Sequence, residues 1–193
     1  MPIIMHDIAP FYAWEDLYDP SQDSRSPFFG KEYSDLNFNN VIYNYYIHPR
    51  WDEIGSATLY LKVLYVDYNV GYTVIELIGE WNDCLYNDIM YLKRNLIEYM
   101  VKEGVNKFIL IGENVLNFHA DDDSYYQEWF EDIEDGWIAL INFRDHVLDE
   151  FVHCHLNYYL NMGGLLKQVN WRTLSPNNLF TIIDHLISRQ LNE

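Results

Sequence analysis

Residues 58–111 leave this chain little freedom. Leu59-Tyr60-Leu61-Lys62-Val63-Leu64-Tyr65-Val66 is dense in branched and aromatic side chains and predicts a strand. Asn69-Val70-Gly71 is too short for anything but a tight turn, so residues 72–78 return as an antiparallel neighbour. A helix pattern follows, with Leu85, Ile89, Leu92, Leu96 and Met100 on one face. Asn82 or Asp83 caps its start and Gly104 stops it. The apolar run 107–111 then reads as a buried strand. A hairpin that feeds a strand–helix–strand crossover commits the chain to a mixed sheet covered by helices.

The rest of the chain extends this pattern. A loop spans residues 114–123, a helix 124–133 and a buried strand 136–141. A longer helix, 145–162, stops at Gly163-Gly164. Residues 166–171 read as a weak edge strand. Ser175-Pro176 opens a last helix with Leu179, Ile182, Ile183, Leu186 and Ile187 on its face. The expected fold class is α/β: a mixed, mostly parallel sheet of about five strands, element order ββαβαβαβα. Strands 107–111 and 137–141 are expected to be adjacent, parallel and central.

Residues 1–57 differ in character, which divides the chain into an arm (1–57) and an α/β domain (58–193). Pro10, Pro20, Pro27 and Pro49 interrupt regular structure, yet this stretch holds 12 of the 33 aromatic residues. Aromatic density is foreign to disordered linkers. Phe11, Trp14, Phe28 and Phe29 are therefore expected to bury, either on the same chain or across a homodimer formed through the arm.

Charge narrows the partners. The chain has 30 acids and 12 bases among 193 residues, a net of −18. Such a chain repels phosphate backbones and anionic bilayers, so neither nucleic acid nor membrane is an expected partner. Residues 121–150 hold 11 acids and one base, a net of −10, and 121–135 hold eight acids and no base. This stretch is either a solvated helix face or a surface that attracts another protein with a basic surface. Cys84 and Cys154 form no metal or redox spacing and read as reduced thiols. Residues 1–7 lack the basic and apolar regions of a leader, and the expected location is cytoplasmic.

Motifs for chemistry are sparse. No P-loop, G-x-S-x-G or G-x-G-x-x-G occurs, and no cofactor is expected. His146, Glu150 and His153 share a helix face, but their order does not make a zinc motif. Past the strand ends stand Glu80, Asp83, Glu113, His119, Asp121, Arg144 and His146. The carboxyl edge of parallel strands is the usual ligand edge of an open α/β sheet. Glu80, Glu113, His119 and Asp121 are the set there that could hold a hard divalent cation or supply an acid and a base, as in a small hydrolase.

Two local patterns carry a family resemblance. Gly79-Glu80-Trp81-Asn82-Asp83 sits between the second strand and the first helix, and Asp123-Ser124 opens the second helix. Together with the element order they resemble the STAS domain, the anti-sigma-factor antagonist fold, over residues 58–191. The resemblance implies a regulatory module that binds other proteins without chemistry, and it makes Ser124 a candidate phosphosite. The alternative is that Ser124, or an aspartate just before it, caps the helix. The interaction surface expected on this reading is Asp121, Asp122, Asp123, Ser124, Tyr125, Tyr126, Glu128 and Trp129, with acids steering and aromatics burying.

Overall fold

The computed structural model describes residues 4–5 and 8–190. Apart from Ile4–Met5, residues 1–7, on which the leader reading rests, lie outside the described residues, as do residues 191–193. The strands are β1 (Ile4–Met5), β2 (Val41–Ile42), β3 (Tyr45–Tyr46), β4 (Asp52–Glu53), β5 (Leu59–Asp67), β6 (Tyr72–Asn82), β7 (Lys107–His119) and β8 (Trp137–Ile141). The helices are α1 (Asp83–Tyr86), α2 (Asp88–Leu92), α3 (Glu98–Lys102), α4 (Ser124–Asp132), α5 (Asp145–His153) and α6 (Pro176–Gln190). A π-helical turn, Lys93–Ile97, joins α2 to α3.

The main sheet has five strands in the order β4-β5-β6-β7-β8. β5 and β6 form the expected antiparallel hairpin, from Leu59 opposite Gly79 to Asp67 opposite Tyr72. β6, β7 and β8 are parallel, with Tyr72 opposite Lys107 and Lys107 opposite Trp137. A separate small sheet, β1-β3-β2, is built from the arm.

The sheet buries both faces. Leu61, Ile75, Phe108 and Leu140 point to one side, against Ile89, Leu96, Trp129 and Phe151 of the helices. Val74, Ile109, Ile111 and Ile141 point to the other, against Leu179, Ile183 and Ile187 of α6 and against Trp14 of the arm. Period-2 alternation explains the partition, because successive strand residues face opposite ways.

The structure corrects several expectations. β8 is adjacent and parallel to β7 but lies at the sheet edge. Residues 166–171 supply no strand; tight helical turns occupy Gly164–Gln168 and Trp171–Thr173. The β8 edge is met instead by single residues. Asn161 N donates to Ile138 O, Leu140 N donates to Asn161 O, and Asn142 N donates to Leu166 O. Leu166 and Trp171 are fully buried as plugs in the second face, which accounts for their apolar character without a strand.

β7 does not end at 111 but runs to His119, because β6 continues to Asn82 and pairs with it past a register shift near Glu76 and Ile78. The helix after β6 is broken. Asn87, at φ +53°, separates α1 from α2, and Leu85 is consequently exposed while Ile89, Leu92, Leu96 and Met100 are buried. The helix that begins at Asp145 ends at His153, with His155 in the left-handed region at φ +60°.

The arm packs on the domain. Trp14 is buried, stacks edge-on to Phe11 and Trp171, and donates from Nε1 to Leu174 O. Phe28 is buried in the first face. Phe29 departs from expectation and stays 59% exposed, since its neighbours Ser26 and Phe28 take the inward positions of the turn.

Candidate functional site

The acidic stretch is the strongest candidate surface in the sequence, and the structure sorts its residues into three groups. Tyr126 and Trp129 are fully buried and cannot be partner contacts. With Ile133 they form the inward stripe of α4, at steps of three and four. Trp129 packs edge-on to Phe108 at 5.1 Å, and Tyr126 stacks on Trp81.

The second group neutralises itself. Lys93 is fully buried in the π-helical turn, and its Nζ lies 2.8 Å from Asp132, 3.0 Å from Glu128 and 3.5 Å from Glu98. Burial opposes the charge, but the hydrogen bonds that Lys93 donates to Asp132 and Glu128 hold its pKa above the ordinary value. Arg94 clasps Glu128 with both guanidinium nitrogens, at 2.8 and 3.0 Å. Its guanidinium also lies 5.4 Å from the Tyr125 ring centroid, which leaves Tyr125 half-buried. Glu128 is therefore an internal ion-pair partner more than a free steering charge.

The third group opens the helix. Asp122 Oδ1 accepts from both the Ser124 amide and the Ser124 hydroxyl, at 2.9 and 2.5 Å. Asp122 thus ties down the first turn, and these hydrogen bonds hold its carboxyl below the usual range. Asp123 accepts from the Tyr159 hydroxyl at 2.9 Å. Asp121 and Ser124 are exposed.

The exposed side of α4 borders a feature that sequence reasoning missed. Phe130 is 45% exposed and Tyr158 is 76% exposed, and both line an open groove of about 520 Å³ at the amino ends of β7 and β8. Tyr159, Trp137 and Ile187 lie in its walls, and Asp135 and Asp184 are its acids. Trp137 Nε1 donates to Asp184 at 3.0 Å. The signal for Phe130 was present: one residue past Trp129, it falls about 100° off the buried stripe and must face outward.

The other candidate set lies at the carboxyl ends of the strands. Glu80 and His119 meet, with Nε2 to Oε1 at 3.3 Å. The Tyr43 hydroxyl donates to Glu80 Oε2 at 2.5 Å and accepts from Asn117 Nδ2 at 3.2 Å. Tyr43 and Asn44 have φ of +50° and +68°, a pair that sets the tight turn between β2 and β3. The Tyr43 hydroxyl anchors that turn to the main sheet. Glu113 belongs to a different cluster, where it accepts from Asn142 and Trp171 at 2.9 Å each and pairs with Arg172. These donors hold Glu113 below the usual carboxylate range, although burial pulls the other way. Asp121 is exposed on the loop before α4. No group of three His, Cys, Asp or Glu side chains disposed to hold a metal ion occurs among the described residues. His146 contacts the Leu116 carbonyl instead of a chelating partner.

Asp52, Glu76, Asp83 and Asp88 are buried carboxylates, and in Asp83 and Glu76 burial raises the pKa furthest into the neutral range. Asp83 accepts from Trp81 Nε1, the Ile89 amide and the Tyr126 hydroxyl, and burial still pushes its pKa up to about 7. Glu76 accepts from the Phe11 amide at 2.8 Å, and burial raises it likewise to about 7. Cys84 and Cys154 are free thiols. No helix among the described residues is long and apolar enough to cross a membrane. Compared with protein-family models, with curated proteins and with solved structures, the chain matches none.

Proposed function

We propose that this chain is a non-catalytic protein-interaction module of the STAS-like type, and that it docks a basic partner segment along the outer side of α4. The observation that carries the reading is the pairing of an exposed aromatic groove with unneutralised acid. Phe130 and Tyr158 offer apolar area. Beside them Glu131, Glu134 and Asp135 stand exposed, with no ion pair to a cation among the described residues. Aromatic anchors supply burial at an interface, while like-signed charge around them raises the encounter rate with a cationic partner. The hairpin leading into parallel, helix-linked strands supports the STAS-like part of the proposal, and the partner class follows from the charge.

Affinity capture from the native host's lysate, with mass-spectrometric identification, tests the reading. Three baits are compared: the unaltered chain, Phe130→Ala with Tyr158→Ala, and Glu131→Lys with Asp135→Lys. Basic proteins should be captured by the first and lost from the other two. Capture should also weaken as salt rises from about 0.1 to 1 M and the Debye length falls from roughly 10 to 3 Å. Capture that survives both double substitutions and high salt overturns the proposal.

A further inference from the structure

The small arm sheet and the carboxyl ends of β6 and β7 flank a second cavity, of about 310 Å³ and open to solvent on one side. Ile42, Ile47, Ile78 and Leu116 make its walls apolar, and its polar lining includes Asn114 and Arg144. A volume of that size suits a small ligand of roughly ten non-hydrogen atoms, given about 30 Å³ per water-sized group.

Arg144 is the informative residue. This chain carries a net charge of −18, and Arg25, Arg50, Arg94 and Arg172 each find a carboxylate, whereas Arg189 on α6 and Arg144 pair with none among the described residues. Arg144 is exposed at the rim of the apolar cavity, and its guanidinium makes no ion pair or hydrogen bond among the described residues. Its backbone caps α5, so the helix dipole adds positive potential at the same place. The acids nearby are already engaged: Asp145 pairs with Lys167, and Glu80 with Tyr43 and His119. A solvent-exposed guanidinium free of protein carboxylates, at the rim of an apolar cavity, suits a ligand with one anionic planar head and a hydrocarbon tail.

We propose that this cavity binds a monocarboxylate with an apolar tail of medium length, its carboxylate on the Arg144 guanidinium and its tail among Ile42, Ile47, Ile78 and Leu116. Asn114 adds a carboxamide donor to the head group. The site lies at the opposite end of the parallel strands from the aromatic groove, so it stands or falls independently of the partner surface.

Calorimetric titration with sodium octanoate tests this, with 1-octanol and octylammonium as matched probes. One saturable site is expected for octanoate, with octanol weaker by at least about tenfold and octylammonium weaker still. Arg144→Ala should weaken octanoate by at least about tenfold and leave octanol unchanged, which isolates the head-group contact. Leu116→Trp should fill the cavity and abolish both, with a thermal melt verifying that the variant is folded. Phe130→Ala with Tyr158→Ala should leave octanoate binding intact. Absence of saturable octanoate binding to the unaltered chain overturns the proposal, as does equal octanoate affinity in Arg144→Ala.

Discussion

The Tyr126 hydroxyl donates a 2.6 Å hydrogen bond to Asp83 Oδ2, so the acidic helix is fastened to the end of β6 by one buried phenol. Tyr126→Phe removes that donor and leaves a buried carboxylate short of a partner. Equilibrium urea denaturation should show a loss of about 1–3 kcal/mol. A loss below experimental error would mean the carboxylate finds another donor.

Stability should depend on pH in an uncommon direction. Asp83 and Glu76 both titrate near pH 7 in the folded chain, raised by burial from 3.8 and 4.5. Between about pH 4 and 7 the folded state binds more protons than the unfolded state, so stability falls as pH rises through that window. Denaturation at about pH 5.5 and pH 8 should give the higher stability at the lower pH, by about 1–4 kcal/mol. Asp83→Asn and Glu76→Gln should flatten this difference. Below about pH 4 the trend reverses, because Glu113 is held low by the hydrogen bonds of Asn142, Trp171 and Arg172, and Glu128 by Arg94 and Lys93, and both weaken those contacts on protonation.

Two glutamates on one helix should behave differently. Glu128→Lys places a third cation beside Lys93 and Arg94 and should destabilise by about 1–3 kcal/mol. Glu131→Lys faces water and should stay within about 0.5 kcal/mol of the original. Thermal melts of the two variants check this, and equal effects would contradict the ion-pair assignment around Lys93.

Within the arm, burial should govern the response. Trp14→Ala removes a buried indole packed on Phe11 and Trp171 and should cost about 3–5 kcal/mol. Phe29→Ala, at an exposed position, should cost little. Limited proteolysis should release the arm in the first variant and not in the second.

Gly79 tolerates no side chain. Its φ is +120°, and a Cβ there would stand 2.0 Å from the carbonyl oxygen of Thr58, the residue just before β5. Gly79→Ala should fail to fold or lose more than about 3 kcal/mol, measured by circular dichroism and denaturation.

The hairpin, the crossover strand and the acidic helix were legible because each carries a dominant local signal of composition or spacing. Leu59 to Val66 is dense in branched and aromatic residues, although a register shift between Val63 and Tyr65 breaks its alternation, and Tyr126, Trp129 and Ile133 repeat at helical spacing. Residues 166–171 misled because Leu166 and Trp171 bury their side chains from irregular backbone, and apolar content alone does not reveal backbone pairing. The break at Asn87 was hidden by a continuous apolar spacing across it. At the candidate surface, charge density was readable and charge pairing was not. Lys93 and Arg94 reach Glu128 from more than thirty residues away, a contact only the folded chain makes. Arg144 was placed at a strand end from sequence, but its apolar surroundings come from the distant residues Ile42 and Ile47.

The single-residue bridge along β8 has a consequence for assembly. Ile138 O, Leu140 N and Asn142 N already hold partners from residues 161 and 166. An incoming extended segment would find these main-chain groups taken, so strand addition at that margin, whether by a peptide or by another copy, must first peel away the stretch around Asn161. The bridge thereby guards the sheet against templated stacking. Recruitment along that flank is left to side chains such as Tyr158, whose removal would cost the fold little.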